Sequence, residues 1–175
     1  MKTLQVSIRG LSPLLMHPYR PTPEGFEKLT PEAQAEFNTY RDEKTQELYI
    51  PCENLSRALV AGAAYSKGKG RASLQKVVAA CVLVSPIRIG LGTEIYAVDG
   101  RGVVIPATRG RVMRYRPRIE EWKAAFQVDY DETLLSQTQI ERVIADTGTL
   151  VGLLDFRPEK KGPYGRFAVA KVTAI

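Results

Sequence analysis

Two cysteines, one histidine and one tryptophan are all that 175 residues hold of these three types. A structural zinc site needs about four Cys or His ligands, so no metal site is expected, and a disulfide framework is excluded as well. Cys52 and Cys81 lie in apolar contexts and read as small packing residues in a reducing compartment. No apolar run approaches the roughly 20 residues of a membrane span, and the longest, Val77 to Val84, has the size of a core element. The N-terminus alternates apolar and polar residues and lacks the continuous apolar stretch of a signal peptide. A cytoplasmic protein without membrane contact is expected. Gly68-Lys69-Gly70-Arg71 lacks the flanking residues of a P-loop, which argues against nucleotide hydrolysis. The carboxylate pairs Asp42/Glu43, Glu120/Glu121 and Asp129/Asp131 follow no metal-site pattern, so no cofactor is expected. Internal repeats and low-complexity linkers are missing too, which leaves one domain over 1–175.

What is abundant is charge, and it is segregated. The net charge is +6. Glu24 through Glu53 carries eight acidic residues against three basic ones, whereas Arg101 through Arg118 carries six arginines and no acid. Lys67, Lys69, Arg71 and Lys76 form a third, basic cluster. Concentrated basic stripes favour an anionic partner, and arginine favours planar, bidentate phosphate contact and stacking on bases. A solvated basic loop has the same composition.

Along the chain, Leu4, Val6 and Ile8 predict a strand over 3–9 with one buried face. A proline-rich stretch follows, and Thr30-Pro31-Glu32 has the cap, first-turn proline and early acid of a helix over 31–40. Residues 10–48 read as an acidic insertion. Leu55, Leu59 and Ala63 recur at spacings of four and predict a helix over 53–66. Val77 to Val84 is a helix end or a buried strand, which periodicity does not decide. Residues 87–91 and 94–98 read as strand pieces, Asp99-Gly100-Arg101-Gly102 as a turn, and 103–105 as a returning strand. Trp122 to Tyr130 alternates most clearly of all, with Glu120 and Glu121 opening that strand. Ser136 with Gln139 forms a capping box for a helix over 137–147, closed by Gly148 as the residue beyond its end.

Residues 152–167 then combine three glycines with Arg157, Lys160, Lys161, Arg166, Phe156, Tyr164 and Phe167, before a strand-like tail to Ile175. Such a loop suits a polyanion whose phosphates take backbone N–H groups and whose bases stack. A long surface hairpin with solvated charges is the plain alternative. With the insertion set aside, the order is an α+β, ferredoxin-like (RRM-like) β-α-β-β-α-β core, which presents one open sheet face.

Three segments resemble the RAMP superfamily, the RRM-like proteins of CRISPR effector complexes. Leu4-Gln-Val-Ser-Ile-Arg-Gly-Leu-Ser-Pro-Leu-Leu15 is similar to their first strand and its Ser-Pro-Leu-Leu turn. Leu48-Tyr-Ile-Pro-Cys-Glu-Asn-Leu-Ser-Arg-Ala-Leu59 is similar to their lead-in to the first helix, with Cys52-Glu53-Asn54 in place of a small, glycine-containing step. Gly152 to Phe167 looks like their C-terminal glycine-rich loop. Together these cover about a quarter of the chain. The resemblance implies a backbone, Cas7-like subunit that polymerises along a guide RNA, with 93–118 as a protruding, RNA-kinking hairpin and 152–166 as a phosphate-contacting loop. Target-cleaving backbone subunits keep an aspartate in the loop corresponding to 10–23; none stands there, so that cleavage is not expected.

The expected partner is therefore single-stranded RNA, or DNA, bound without catalysis. The expected contacts are Lys67, Lys69 and Arg71 at a helix exit, Arg109, Arg111, Arg114 and Arg116 in the basic stretch, and Arg157, Lys160, Lys161 and Arg166 in the loop. Tyr115 and Tyr164, flanked by basic residues or glycine, are the stacking candidates. Trp122 and Phe126 share a strand face and read as core. His17 suggests an alternative, a metal-independent Cas6-like endoribonuclease with His17 as general base on a 2′-OH. A phage structural or protein-interaction subunit is a further alternative. The opposed charge segments also predict a homo-oligomer, acidic insertion against the basic edge of the next copy, extending into a filament.

Overall fold

The computed structural model describes residues 1–68 and 70–175. In chain order the strands and helices are β1 (Lys2–Gly10), β2 (Leu14–Leu15), α1 (Pro31–Phe37), β3 (Tyr49–Pro51), α2 (Cys52–Gly62), α3 (Gln75–Cys81), β4 (Val82–Ser85), β5 (Arg88–Gly90), β6 (Ala97–Val104), β7 (Arg111–Ile119), β8 (Lys123–Tyr130), α4 (Gln137–Asp146) and β9 (Phe167–Ala174). The result is a mixed α+β fold with antiparallel sheets. A four-stranded sheet has the order β4-β8-β1-β9, a three-stranded sheet the order β2-β7-β6, and β3 pairs with β5.

The alternation in β1 and β8 sets the layers. Leu4, Val6 and Ile8 are paired in register with Val128, Phe126 and Ala124, and all six are buried. Their face packs on Leu55, Ala58 and Leu59 of α2 and on Ile140, Val143 and Ile144 of α4. Burying each such aliphatic side chain contributes about 1.5–3 kcal/mol, so this one layer supplies most of the driving force. Trp122 and Phe126 join the core, as their shared strand face predicts.

Val77 to Val84 turns out to be both of its readings. Val78 and Cys81, one helical turn apart, face the core, and then Val82 leaves the helix to pair with Tyr130. The helix predicted over 31–40 forms over 31–37, with Thr30 accepting a hydrogen bond from the Ala33 N–H. The capping box of Ser136 and Gln139 forms at the start of α4.

Three local expectations are overturned. Asp99 to Gly102 is no turn but lies inside β6, paired with 113–116 of β7. The chain reverses at 105–110 instead, where Arg109 takes φ 55° and its N–H bonds the Ile105 carbonyl. Gly100 sits within the strand because Tyr115, directly opposite, lies over it where a side chain would collide. Gly148 does not end the last helix. A wide helical turn carries the chain on to Val151, and Gly152 ends it at φ 74°, while Gly148 lets the backbone of Phe167 approach closely. Glu120 and Glu121 lie in the bend between β7 and β8 rather than in the strand.

Residues 10–48 cover the hairpin formed by β6 and β7. β2 adds to β7, and the Asn38 amide donates to the Tyr115 carbonyl at 3.0 Å. Glu27 pairs with Arg114, and Glu36 takes Arg41 at 2.7 Å and the Tyr96 hydroxyl at 2.6 Å. The acidic insertion thus meets basic partners within its own chain. Burial and the Glu36 carboxylate together push the Tyr96 hydroxyl up to about 12.

Candidate nucleic-acid interface

The sheet register decides which basic segments meet. Gly10 pairs with Phe167 and Arg9 with Lys123, so the β1–β2 turn, the β7–β8 bend and the 152–166 loop share one end of the four-stranded sheet. At the other end, Lys2 pairs with Tyr130, and Val82 pairs with Tyr130 as well. Tyr65, Ser66 and Lys67 line a cavity with Thr138, Gln139 and Arg142, just after β8 has ended. Lys67 therefore lies along α4, where its neighbour Ser66 donates to Asp146 at 3.3 Å, and Ser73, beyond Arg71, bridges back to it. Lys69 lies outside the described residues.

At the near end, the base of the hairpin is fastened to the glycine-rich loop. Arg116 pairs with Asp155, and its side chain is only 11% exposed. Arg101 bonds the Tyr164 hydroxyl and stacks over the rings of Phe156 and Tyr164, 5.2 and 4.9 Å from their centroids. Asp99, 6% exposed, takes Arg101 at 2.6 Å and Arg118 at 3.0 Å. Burial opposes ionisation of Asp99, but the two guanidinium groups prevail and hold it below the usual carboxylate range. Tyr164 is buried, so its ring offers no stacking face to a ligand. Tyr115 is half-buried over Gly100.

The remaining cations divide cleanly. Arg114 is held by Glu27, Arg116 by Asp155, and Arg157 by Glu159 at 2.5 Å and the Leu154 carbonyl at 2.7 Å. Arg109, Arg111, Lys160, Lys161 and Arg166 are exposed and, among the described residues, have no carboxylate partner. Arg166 donates to the Thr149 carbonyl at 3.0 Å. Of the residues expected to grip phosphate, these five stand open, three in the loop at the near end and two at the tip of the hairpin.

Sequence reasoning missed a polar pocket beside them. His17, Tyr40, Asn54, Leu154, Asp155 and Arg157 line a cavity of about 140 Å³. His17 Nδ1 lies 3.8 Å from Asp155 Oδ2. Leu154 and Phe156, on either side of Asp155, are held at φ 59° and 49°, a left-handed backbone that costs non-glycine residues roughly 1–2 kcal/mol each. Burial works against the Asp155 charge, yet His17 and Arg116 keep its carboxyl below the ordinary range. Burial raises the Tyr40 hydroxyl. The only signal for this pocket was that Asp155 interrupts an otherwise apolar run, Val151 to Phe156, and nothing in the sequence points it at His17.

An α+β protein with antiparallel sheets and a basic end is the class that this geometry defines. No family model matches the chain, and no curated protein matches it. Solved structures do. One is a chain in the cryo-EM structure of the Type III-B Cmr-beta bound to cognate target RNA, with a TM-score of 0.68 over 99% of this chain at 12% sequence identity. At that identity the likeness is one of fold. This chain spans 60% of the length of that one. The chain thus shares its fold, over almost its whole length, with a chain of a Type III-B CRISPR effector complex. No helix among the described residues is long and apolar enough to cross a membrane, and no cluster of His, Cys, Asp or Glu among them has the makings of a metal site.

Proposed function

We propose that this chain binds single-stranded nucleic acid, RNA above DNA, through its phosphate backbone, as a non-catalytic Cas7-like subunit that assembles within a ribonucleoprotein. The observation that carries this reading is that five cations of two segments stand open: Arg109 and Arg111 at the tip of the hairpin, and Lys160, Lys161 and Arg166 in the glycine-rich loop to which that hairpin is fastened through Arg101 and Arg116. Charges that a fold leaves without carboxylate partners attract a polyanion and release its counterions. The presence of a like-folded chain in a complex bound to target RNA supports the choice of RNA. A ferredoxin-like core fits the order β4-β8-β1-β9, in which every neighbour is antiparallel and α2 and α4 cross on one face.

The test is anisotropy of a labelled 20-nucleotide RNA across a salt series. Affinity should fall steeply with salt, and changing Arg109 and Arg111 together to Gln should cost about tenfold at low salt and flatten the salt slope by about 1.4. Binding that is indifferent to salt overturns the reading.

The His17–Asp155 pair favours one second reading, a metal-independent ribonuclease. His17 would take the 2′-OH proton, the 2′ oxygen would attack phosphorus, and the 5′ oxygen would leave as a hydroxyl with a proton from water, giving a 2′,3′-cyclic phosphate. Arg157, on the same pocket wall, would steady the charge on phosphorus. Cleavage in chelator by the native chain, lost in His17→Ala, would replace the non-catalytic reading with this one.

A further inference from the structure

One face of the four-stranded sheet is covered by α2 and α4, and the other carries Thr3, Gln5, Ser7 and Arg9 of β1 with Lys123, Ala125, Gln127 and Asp129 of β8. Not one aromatic residue of β1, β4, β8 or β9 lies on that outer face: Phe126, Tyr130 and Phe167 all point into the core. Base stacking of the kind an RRM platform uses is therefore not what this surface offers.

It offers charge instead, in an arrangement that costs the fold stability. Arg9 and Lys123 are directly opposite each other in the antiparallel ladder, and both are exposed. Like charges at that separation repel. On the far side of β1, Lys171 stands opposite Ser7, exposed as well, next to a register shift between Ser7 and Ile8. None of the three has a carboxylate partner among the described residues, although the chain pairs most of its hairpin arginines. Between them lie small side chains, Ser7, Ala125, Ala168 and Ala170, which allow a strand to lie close to the sheet.

A cleft of about 420 Å³ opens here, lined by Ser7, Arg9, Lys123, Ala125 and Ala170, with Gly90 to Gly92 of the β5 side as its other wall. Glu47 is the one carboxylate among its lining residues, and it already accepts the Gly92 N–H at 2.5 Å.

We infer that Arg9, Lys123 and Lys171 form a phosphate-binding track on the open sheet face, over which the sugar–phosphate backbone of a single strand lies flat with its bases turned outward. The track adjoins the near end, since Arg9 is followed by Gly10, which pairs with Phe167 at the close of the glycine-rich loop. It rests on the proposed nucleic-acid binding and extends it from two loops to the sheet. A bound backbone also answers the Arg9–Lys123 repulsion, because an anion between two like charges turns a cost into an attraction.

The experiment follows the same labelled 20-nucleotide RNA by anisotropy while brief acetylation reports the reactivity of each lysine by mass spectrometry. With RNA at saturation, Lys123 and Lys171 should be protected several-fold, whereas Lys44, on the acidic insertion, should not change. Changing Arg9, Lys123 and Lys171 together to Gln should weaken binding roughly tenfold or more and flatten the salt slope by about 2. The thermal midpoint of that variant should not fall, because the substitutions remove repulsion and touch no core residue. Saturable RNA binding with both lysines unprotected and the triple variant unaffected overturns the track and leaves the loop interface standing. No RNA binding by the native chain overturns both. Protection of the same lysines by polyglutamate but not by RNA would assign the face to an acidic protein and overturn the track as well.

Discussion

Four arginines at the base of the β6–β7 hairpin and two at its tip come from one stretch of eighteen residues, yet their surroundings are opposite. Arg101, Arg114, Arg116 and Arg118 are each held by a carboxylate, three of them by acids that the fold brings from elsewhere or from across the ladder. Arg109 and Arg111 are exposed, without such a partner among the described residues. The lesson is that a count of like charges along a sequence overstates an interface. Arg101 and Arg116 fasten the hairpin to the glycine-rich loop and Arg114 fastens it to Glu27, before α1, and the tip is what remains for a partner. The carboxylates that hold them come from three places: Asp99 in the hairpin itself, Asp155 in the loop and Glu27 in the acidic insertion.

The largest effect that would break this comparison lies at the base. Arg116→Ala should cost about 2 kcal/mol of unfolding free energy, less than a fully buried pair because Asp155 is 33% exposed in its side chain. Urea unfolding measures it, and a midpoint equal to that of the native chain would show the fastening to be idle. The tip variant described above should leave that midpoint in place.

Acid should loosen the same base. Asp99 and Asp155 are both held below the usual carboxylate value of 3.8, against burial, by Arg101 and Arg118 in one case and by His17 and Arg116 in the other. An unfolded chain protonates first as pH falls through that value, while the folded carboxylates stay ionised. Their contribution is therefore complete above about pH 5 and declines below it until the folded groups protonate too. Urea midpoints at about pH 5 and pH 3 should differ, and Asp99→Asn should narrow the difference. A native chain equally stable at both would sink the assignment.

The smallest effect sharpens the comparison from the other side. Glu27→Gln removes an exposed partner of Arg114, so stability should move by no more than about 0.5 kcal/mol. The freed Arg114 should raise RNA affinity two- to threefold at low salt, roughly one extra phosphate contact partly realised. An affinity that falls instead would mean that Glu27 orders Arg114 for the ligand rather than masking it.

Much of the fold was legible because it rests on periodicity and local caps. The alternation of Leu4, Val6 and Ile8, the stripe of Leu55 and Leu59, and the Ser136–Gln139 box are short-range patterns, and each formed where expected. The misread turn at Asp99-Gly100-Arg101-Gly102 fails for a long-range reason. Gly100 makes room for Tyr115 across the ladder, and Asp99 serves Arg118 nineteen residues away. The candidate site was legible in part. The hairpin and the glycine-rich loop stood out by composition, but Tyr164 looked like a stacking face until burial against Arg101 removed it.

Composition and pattern alone determined that the chain is α+β, basic overall and rich in arginine over one segment. Those are properties of residue types and of neighbours three or four positions apart, which no tertiary arrangement can change. Only the tertiary structure decided which charges are spent. Pairing of Arg116 with Asp155 and the opposition of Arg9 and Lys123 join residues far apart in the chain. Sequence carries the charges, and register sets whether each faces an acid, a like charge or open water.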